Sequence, residues 1–197
     1  MVREYASLAS SLLQSGCGFS SPSQTLPERV TLDSPAIDVM TDLQCVNAVV
    51  IQPDDTIDEA NKRMLQRSVR LLLVLDHARK VEGLITATDT LGEKPMRVVA
   101  ERNCRRDDVL VREIMTPQSH LEVLDIEEVK HSKVGHVIAT LKRAGRQHAM
   151  VVEHDRNGGQ TVRGLFSTSQ IGRQLGAAIQ TSEVARSFAE IESALGH

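Results

Sequence analysis

The chain has 197 residues, a net charge of −3 and 41% hydrophobic residues, enough for one globular domain or two small fused halves. Aromatic residues make up only 2%, there is no Trp, and no basic excess exists to neutralise phosphates, which excludes a general nucleic-acid-binding surface. Three cysteines at unpaired spacings exclude a disulfide framework and a CxxC zinc site and point to a reducing cytoplasm; no apolar run approaches the ~20 residues of a membrane span.

Residues 1–33 read as a Ser-rich N-terminal extension. Tyr5, Leu8 and Leu12 allow a short amphipathic helix, and GCGFSSPSQTLPE is a loop. LLQSGC at Leu12–Cys17 has the outline of a lipoprotein cleavage site. The stretch before it carries Glu4 and several polar residues where a secretory signal needs a continuous apolar run, so an ordinary amphipathic segment is the better reading.

Beyond residue 33 the chain is one unit written twice. IDVMTDL (Ile37–Leu43) resembles VREIMTP (Val111–Pro117), and GLITATD (Gly83–Asp89) resembles GLFSTSQ (Gly164–Gln170). In the first copy, NAVVIQ (Asn47–Gln52) is a β-branched run ended by Pro53 and predicts a strand. Thr56 and Glu59 have capping-box spacing, and Ile57, Ala60, Met64 and Leu65 form one helical face ending near Ser68. The continuous apolar run Leu71–Asp76 predicts a buried strand and Val81–Thr86 the next. The following ATDTLGEKPMRVVAERN predicts helix, broken at Gly92 or Pro95.

The second copy repeats the order. Leu121–Ile126 is a strand candidate. Val134, Val137, Ile138 and Leu141 mark a helix with Ser132 as N-cap and Gly145 as its stop. His148–Glu153 and Thr161–Ser167 are strands around a Gly-rich turn, and SQIGRQLGAAIQ is helical. Past it, Ser182 can cap an amphipathic helix carrying Val184, Phe188, Ile191 and Leu195.

The repeated order β–α–β–β–α, with a Met-Thr lead-in and a G-h-h-[ST]-x-[ST]-D exit, resembles the cystathionine-β-synthase (CBS) domain family. Two copies in tandem look like a CBS pair, or Bateman module, of the stand-alone kind. The resemblance covers roughly residues 35–176 and implies a division into an extension (1–33), repeat 1 (34–100), repeat 2 (101–176) and a C-terminal amphipathic helix (177–197). The implied fold class is α/β (α+β): two β-α-β-β-α repeats packed face to face with pseudo-twofold symmetry and two clefts between them. The family implies binding of AMP, ADP, ATP or S-adenosylmethionine in those clefts, and frequent pairing of modules into a homodimer.

An ionised carboxylate can accept hydrogen bonds from both ribose hydroxyls, each contributing about 1.5–3 kcal/mol. Asp89 matches the family's ribose acid, Thr86 and Thr88 its accompanying hydroxyls, and Gly83 a point of close backbone approach. By the same resemblance this cleft draws on Thr116, Arg146, Gln147 and His148 of the second copy, with Arg146 and His148 meeting phosphate. The opposite cleft would use Thr41, Val69 and Arg70 with Ser167, Ser169 and Gln170. There an amide replaces the acid, so ribose capture is expected to be weaker.

Plainer roles stand beside these. Asp89 alone would favour the start of the following helix, Arg70 is equally a solvated edge charge, and His148 equally a hydrogen-bonded strand-start histidine. His131 and His136 miss the spacing of a helical metal pair, and no nucleophile motif is visible. The expectation is a non-enzymatic cytoplasmic sensor with no catalytic cofactor, no metal, no nucleic-acid or membrane partner, and an unidentified protein target. The alternative is a ligand-free dimerisation or interaction scaffold; a small enzyme of unrecognised type ranks third.

Overall fold

A computed structural model describes residues 9–12, 14–17 and 22–181. Tyr5, Leu8 and the stripe from Val184 to Leu195 lie outside the described residues, while Leu12 is fully exposed.

The strands are β1 (Thr41–Asp42), β2 (Val50–Ile51), β3 (Leu71–Leu75), β4 (Val81–Thr86), β5 (Thr116–Pro117), β6 (Val123–Asp125), β7 (His148–His154) and β8 (Gln160–Ser167). The helices are α1 (Ile57–Arg67), α2 (Ala87–Leu91), α3 (Glu93–Arg102), α4 (Val111–Ile114), α5 (Ile126–Lys130), α6 (Val134–Ala144) and α7 (Thr168–Leu175). Among the described residues none is long and apolar enough to cross a membrane.

The strands form two four-stranded sheets of equivalent order, β2-β3-β4-β5 and β1-β8-β7-β6. In each, one parallel pair (β2 with β3, β6 with β7) is followed by two antiparallel pairs. The lead-in strands are crossed over. β1, from the first copy, pairs with β8 of the second, placing Thr41 opposite Leu165 and Asp42 opposite Gly164. β5, from the second copy, pairs with β4 of the first, placing Thr116 opposite Leu84 and Pro117 opposite Gly83.

The crossing needs two glycines. A Cβ on Gly83 would lie 2.5 Å from the Thr116 carbonyl oxygen, and one on Gly164 would lie 2.6 Å from the Met40 sulfur. Real side chains cannot approach so closely, so the glycines admit the lead-in strands.

The helices explain the apolar periods. α1 starts at Thr56, whose hydroxyl accepts from the Glu59 N–H at 3.2 Å. The expected reciprocal half of the capping box is missing, because the Glu59 carboxylate turns to Arg63 instead. α6 is capped at Lys133 rather than Ser132: the Lys133 N–H donates to Nδ1 of His136 at 3.1 Å. Ser68 ends α1 and Gly145 ends α6, both left-handed, at φ of 52° and 64°. α2 and α3 break at Gly92, and α7 stops at Gly176, earlier than the apolar pattern had predicted. The strand expected through Ile126 stops at Asp125, whose carboxylate accepts from Glu127 N–H and opens α5.

Three apolar cores follow. Leu72, Val74 and Ile85 pack under Ile57, Ala60 and Met64 of α1, joined by Val109, Val111 and Ile114 from the second copy's lead-in. Val151, Phe166 and Ile171 pack with Val134, Val137 and Leu141, joined by Ala36, Val39 and Met40 from the first copy's lead-in. The third core is the seam between the sheets, where Leu71, Leu73 and Met150 meet Leu84, Leu121, Val123 and Leu165. β3 therefore buries both faces, which is why its sequence is a continuous apolar run rather than an alternating one. Truncating Leu72 or Leu73 to Ala should cost about 2–5 kcal/mol.

The N-terminal extension is tied to the second sheet. The Gln24 side chain donates to the Met40 carbonyl and accepts from the Asp42 N–H, at 2.9 and 2.8 Å, along the outer edge of β1. Gln174 on α7 donates to the Pro27 carbonyl at 2.7 Å.

Candidate functional site

The first repeat's exit motif sits where β4 gives way to α2. Thr86 is the N-cap of α2, and its partner three residues on is Asp89. Oδ2 of Asp89 accepts from the Thr86 N–H at 2.9 Å and from the Thr86 hydroxyl at 2.7 Å, while the Asp89 N–H donates back to that hydroxyl at 3.3 Å. The other oxygen, Oδ1, accepts from the ammonium of Lys94 at 2.5 Å. Lys94 also donates to the Ile114 carbonyl at 3.1 Å. The Asp89 side chain is only 13% exposed, so the carboxylate is held by internal donors rather than facing bulk water. It performs the helix-capping role and still lies on a cavity wall.

That cavity, about 800 Å³, opens between the two repeats. Thr86, Thr88 and Asp89 line one side, and Thr116, Arg146, Gln147 and His148 line the other. Seven of the eight residues expected at this cleft are thus brought together across the seam. The eighth, Gly83, does not line it; this glycine is buried against β5, and its missing side chain serves strand pairing rather than ligand approach. Leu84, Leu121 and Met150 form an apolar floor continuous with the inter-sheet core.

Sequence reading missed Glu93, Lys94 and Arg97, which also line the cavity. They lie on α3, and the break at Gly92 redirects that helix along the cavity mouth. The one available signal was that glycine, followed by cations three residues apart. Glu122 was missed as well; it faces Arg146 at 3.4 Å, and Arg146 donates to the His120 carbonyl at 3.3 Å.

His148 starts β7 and pairs in register with Ser167. Burial, and then the nearby Arg70 guanidinium, push its pKa down to about 4, with Asp89 acting in the opposite direction. It is a neutral imidazole at pH 7. It can meet a ligand as a neutral hydrogen-bond partner, not as the cation that a phosphate contact would favour. Arg70, expected at the opposite cleft, lies close enough to His148 to act on it.

The opposite set is arranged differently. The Thr41 hydroxyl donates to Oε1 of Gln170 at 3.3 Å. Ser169 is exposed, and Val69 packs against the first repeat's core. Asp42, next to Thr41, is gripped by Arg163 at 2.5 Å. Among the described residues no group of three His, Cys, Asp or Glu side chains could hold a metal ion.

Residues 36–94 match the family model for the CBS domain. That stretch, most of the first repeat, carries a CBS domain. The chain's tandem fold is shared with an uncharacterized conserved protein from Pyrococcus horikoshii, at 20% identity over 72% of this chain and 92% of that one, with a TM-score of 0.51. It is shared with the CBS domain pair of protein MJ0100, solved with 5′-methylthioadenosine and S-adenosyl-L-methionine, at 19% identity over 73% and 97% of the two chains and a TM-score of 0.50. CBSX2 of Arabidopsis thaliana, solved in complex with AMP, is 18% identical over 71% and 94%, with a TM-score of 0.48. No curated protein matches the sequence significantly.

Proposed function

We propose that this CBS pair is a regulatory sensor that binds an adenosine-containing ligand, AMP, ADP, ATP or S-adenosylmethionine, in the Asp89 cleft and signals by a change of shape to a partner protein. One observation carries this reading: the 800 Å³ cavity has Thr86, Thr88 and Asp89 on one repeat and Arg146, Gln147 and His148 on the other. A ligand spanning that gap binds one arrangement of the two repeats better than another, which is the requirement for a ligand to shift a conformational equilibrium. The apolar floor suits a purine, the acid a ribose diol, and the rim cations a phosphate. The MJ0100 pair, which shares the fold, was solved with two adenosyl compounds, and this supports the choice of ligand class. We place the protein in the cytoplasm, as a homodimer; Cys17, Cys45 and Cys104 are not joined in a disulfide.

The scaffold reading has one observation in its favour: both carboxylate oxygens of Asp89 already hold internal donors. Calorimetry of the full chain with AMP, ADP, ATP and S-adenosylmethionine decides between them. The sensor reading expects saturable binding by at least one, weakened about ten- to hundredfold by Asp89→Ala. Binding by none at millimolar concentration favours the scaffold.

A further inference from the structure

Lys94 stands between the cleft's acid and its cationic rim. Its ammonium reaches Asp89 Oδ1 at 2.5 Å and the Ile114 carbonyl at 3.1 Å. The lysine is 48% exposed on a flexible stem, whereas its carboxylate partner is 13% exposed and fixed from behind by Thr86. Lys94 is therefore the partner able to move. One turn further along α3, Arg97 lines the same cavity and has no ion-pair partner among the described residues; Arg146 faces it from the other repeat.

We propose that Lys94 is an exchangeable counterion that makes this cleft selective for a negatively charged adenosine compound over a neutral or cationic one. The inference rests on the functional reading above and names the charge class of its ligand. A ribose diol donating to Asp89 Oδ1 enters the place the ammonium holds. The displaced ammonium stays charged and in the cavity, where an anionic group on the ligand gives it a new partner beside Arg97. A neutral nucleoside removes one ion pair and supplies none. A sulfonium compound of net positive charge adds a further cation to Lys94, Arg97 and Arg146, and like charges this close repel.

The same movement acts on the fold. Ile114 closes α4, and Thr116 of β5 follows two residues later on the cavity wall. When Lys94 leaves the Ile114 carbonyl, one of the bonds between α3 and the second copy's lead-in segment is lost, leaving the pair of Arg102 with Glu113 to hold α3 to α4. Occupancy by an anion is thereby coupled to the crossed strand.

The test is calorimetric titration of the full chain and of Lys94→Met with adenosine, AMP and S-adenosylmethionine. Wild type should bind AMP about tenfold or more tightly than either other ligand. Lys94→Met should bring the three within about threefold of one another, and Lys94→Arg should restore the wild-type ranking. Salt adds a readout that needs no variant: raising it should weaken AMP binding and strengthen adenosine binding, because only adenosine must break an ion pair without replacing it. An unchanged ranking in Lys94→Met, a wild type that prefers the sulfonium, or salt effects of one sign for both ligands overturns the role of Lys94 alone. Failure of every ligand, with ADP and ATP titrated as well, to bind wild type overturns the functional reading, and this inference with it.

Discussion

The hydroxyl of Thr41 donates to the side-chain oxygen of Gln170 at 3.3 Å, linking the two repeats at the place where their counterparts, Thr116 and Asp89, instead line an open cavity. The two exit motifs share strand register but not chemistry. In one, an acid is backed by Thr86 and Lys94; in the other, an amide is used up by the threonine opposite. Gln170→Ala should therefore leave ligand affinity within about twofold while Asp89→Ala weakens it about ten- to hundredfold, measured side by side by calorimetry. Comparable losses in the two variants would show that the ligand sits elsewhere.

Asp89 combines capping with charge, and two variants separate them. Asp89→Asn keeps an acceptor for the Thr86 N–H and hydroxyl; Asp89→Ala keeps none. Urea unfolding should find the alanine variant about 1 kcal/mol less stable than wild type, with asparagine losing less. Both should bind ligand poorly, because neither carries the ionised group. An asparagine variant with full affinity would mean that the charge is irrelevant to binding.

His148 predicts a pH effect. Its folded pKa, about 4, lies below the ordinary 6.5, so between these values the unfolded chain binds more protons than the folded one. Its stabilising contribution is complete above about pH 6.5 and is lost as the pH falls towards 4. At about 1.4 kcal/mol per unit the loss is on the order of 2–3 kcal/mol. Leu71 holds the corresponding position in the first copy, opposite Thr86 as His148 is opposite Ser167. His148→Leu should flatten the acid limb of the stability curve by that amount, read as the difference from wild type in denaturant melts at pH 4.5 and 7. Parallel curves would mean that the imidazole titrates normally.

The two crossing glycines should respond unequally to alanine. At Gly83 the new Cβ meets a backbone carbonyl, which moves only if β5 moves. At Gly164 it meets the flexible Met40 side chain, which can repack. Gly83→Ala should cost about 2–3 kcal/mol or more and Gly164→Ala about half that, by equilibrium unfolding. The reverse order would contradict the described packing of the lead-in strands.

The sequence revealed most where a period runs long enough to be read. α1, α6, β3, β4, β7 and β8 each carry several residues of one pattern, and the duplication supplied every pattern twice. β1 and β5 are two residues long, too short for any period, and their partners lie in the other copy. α5 was hidden because Asp125 ends a strand and caps a helix at once. Thr86, Asp89 and the Arg146–His148 stretch were read through a resemblance, and the fold brings them to one cavity. Lys94 and Arg97 were not, since only the turn at Gly92 decides that α3 runs past the cavity. Nor was the neutral state of His148, which depends on burial and on Arg70, far away in sequence.

The crossed lead-in strands bear on how the molecule can be taken apart. A fragment cut at residue 100 would lack β5 and the Val109–Ile114 plug beneath its own sheet, while keeping a β1 that belongs elsewhere. Neither half is a self-sufficient folding unit, so denaturation should be a single concerted event, and two severed pieces should regain structure only when mixed.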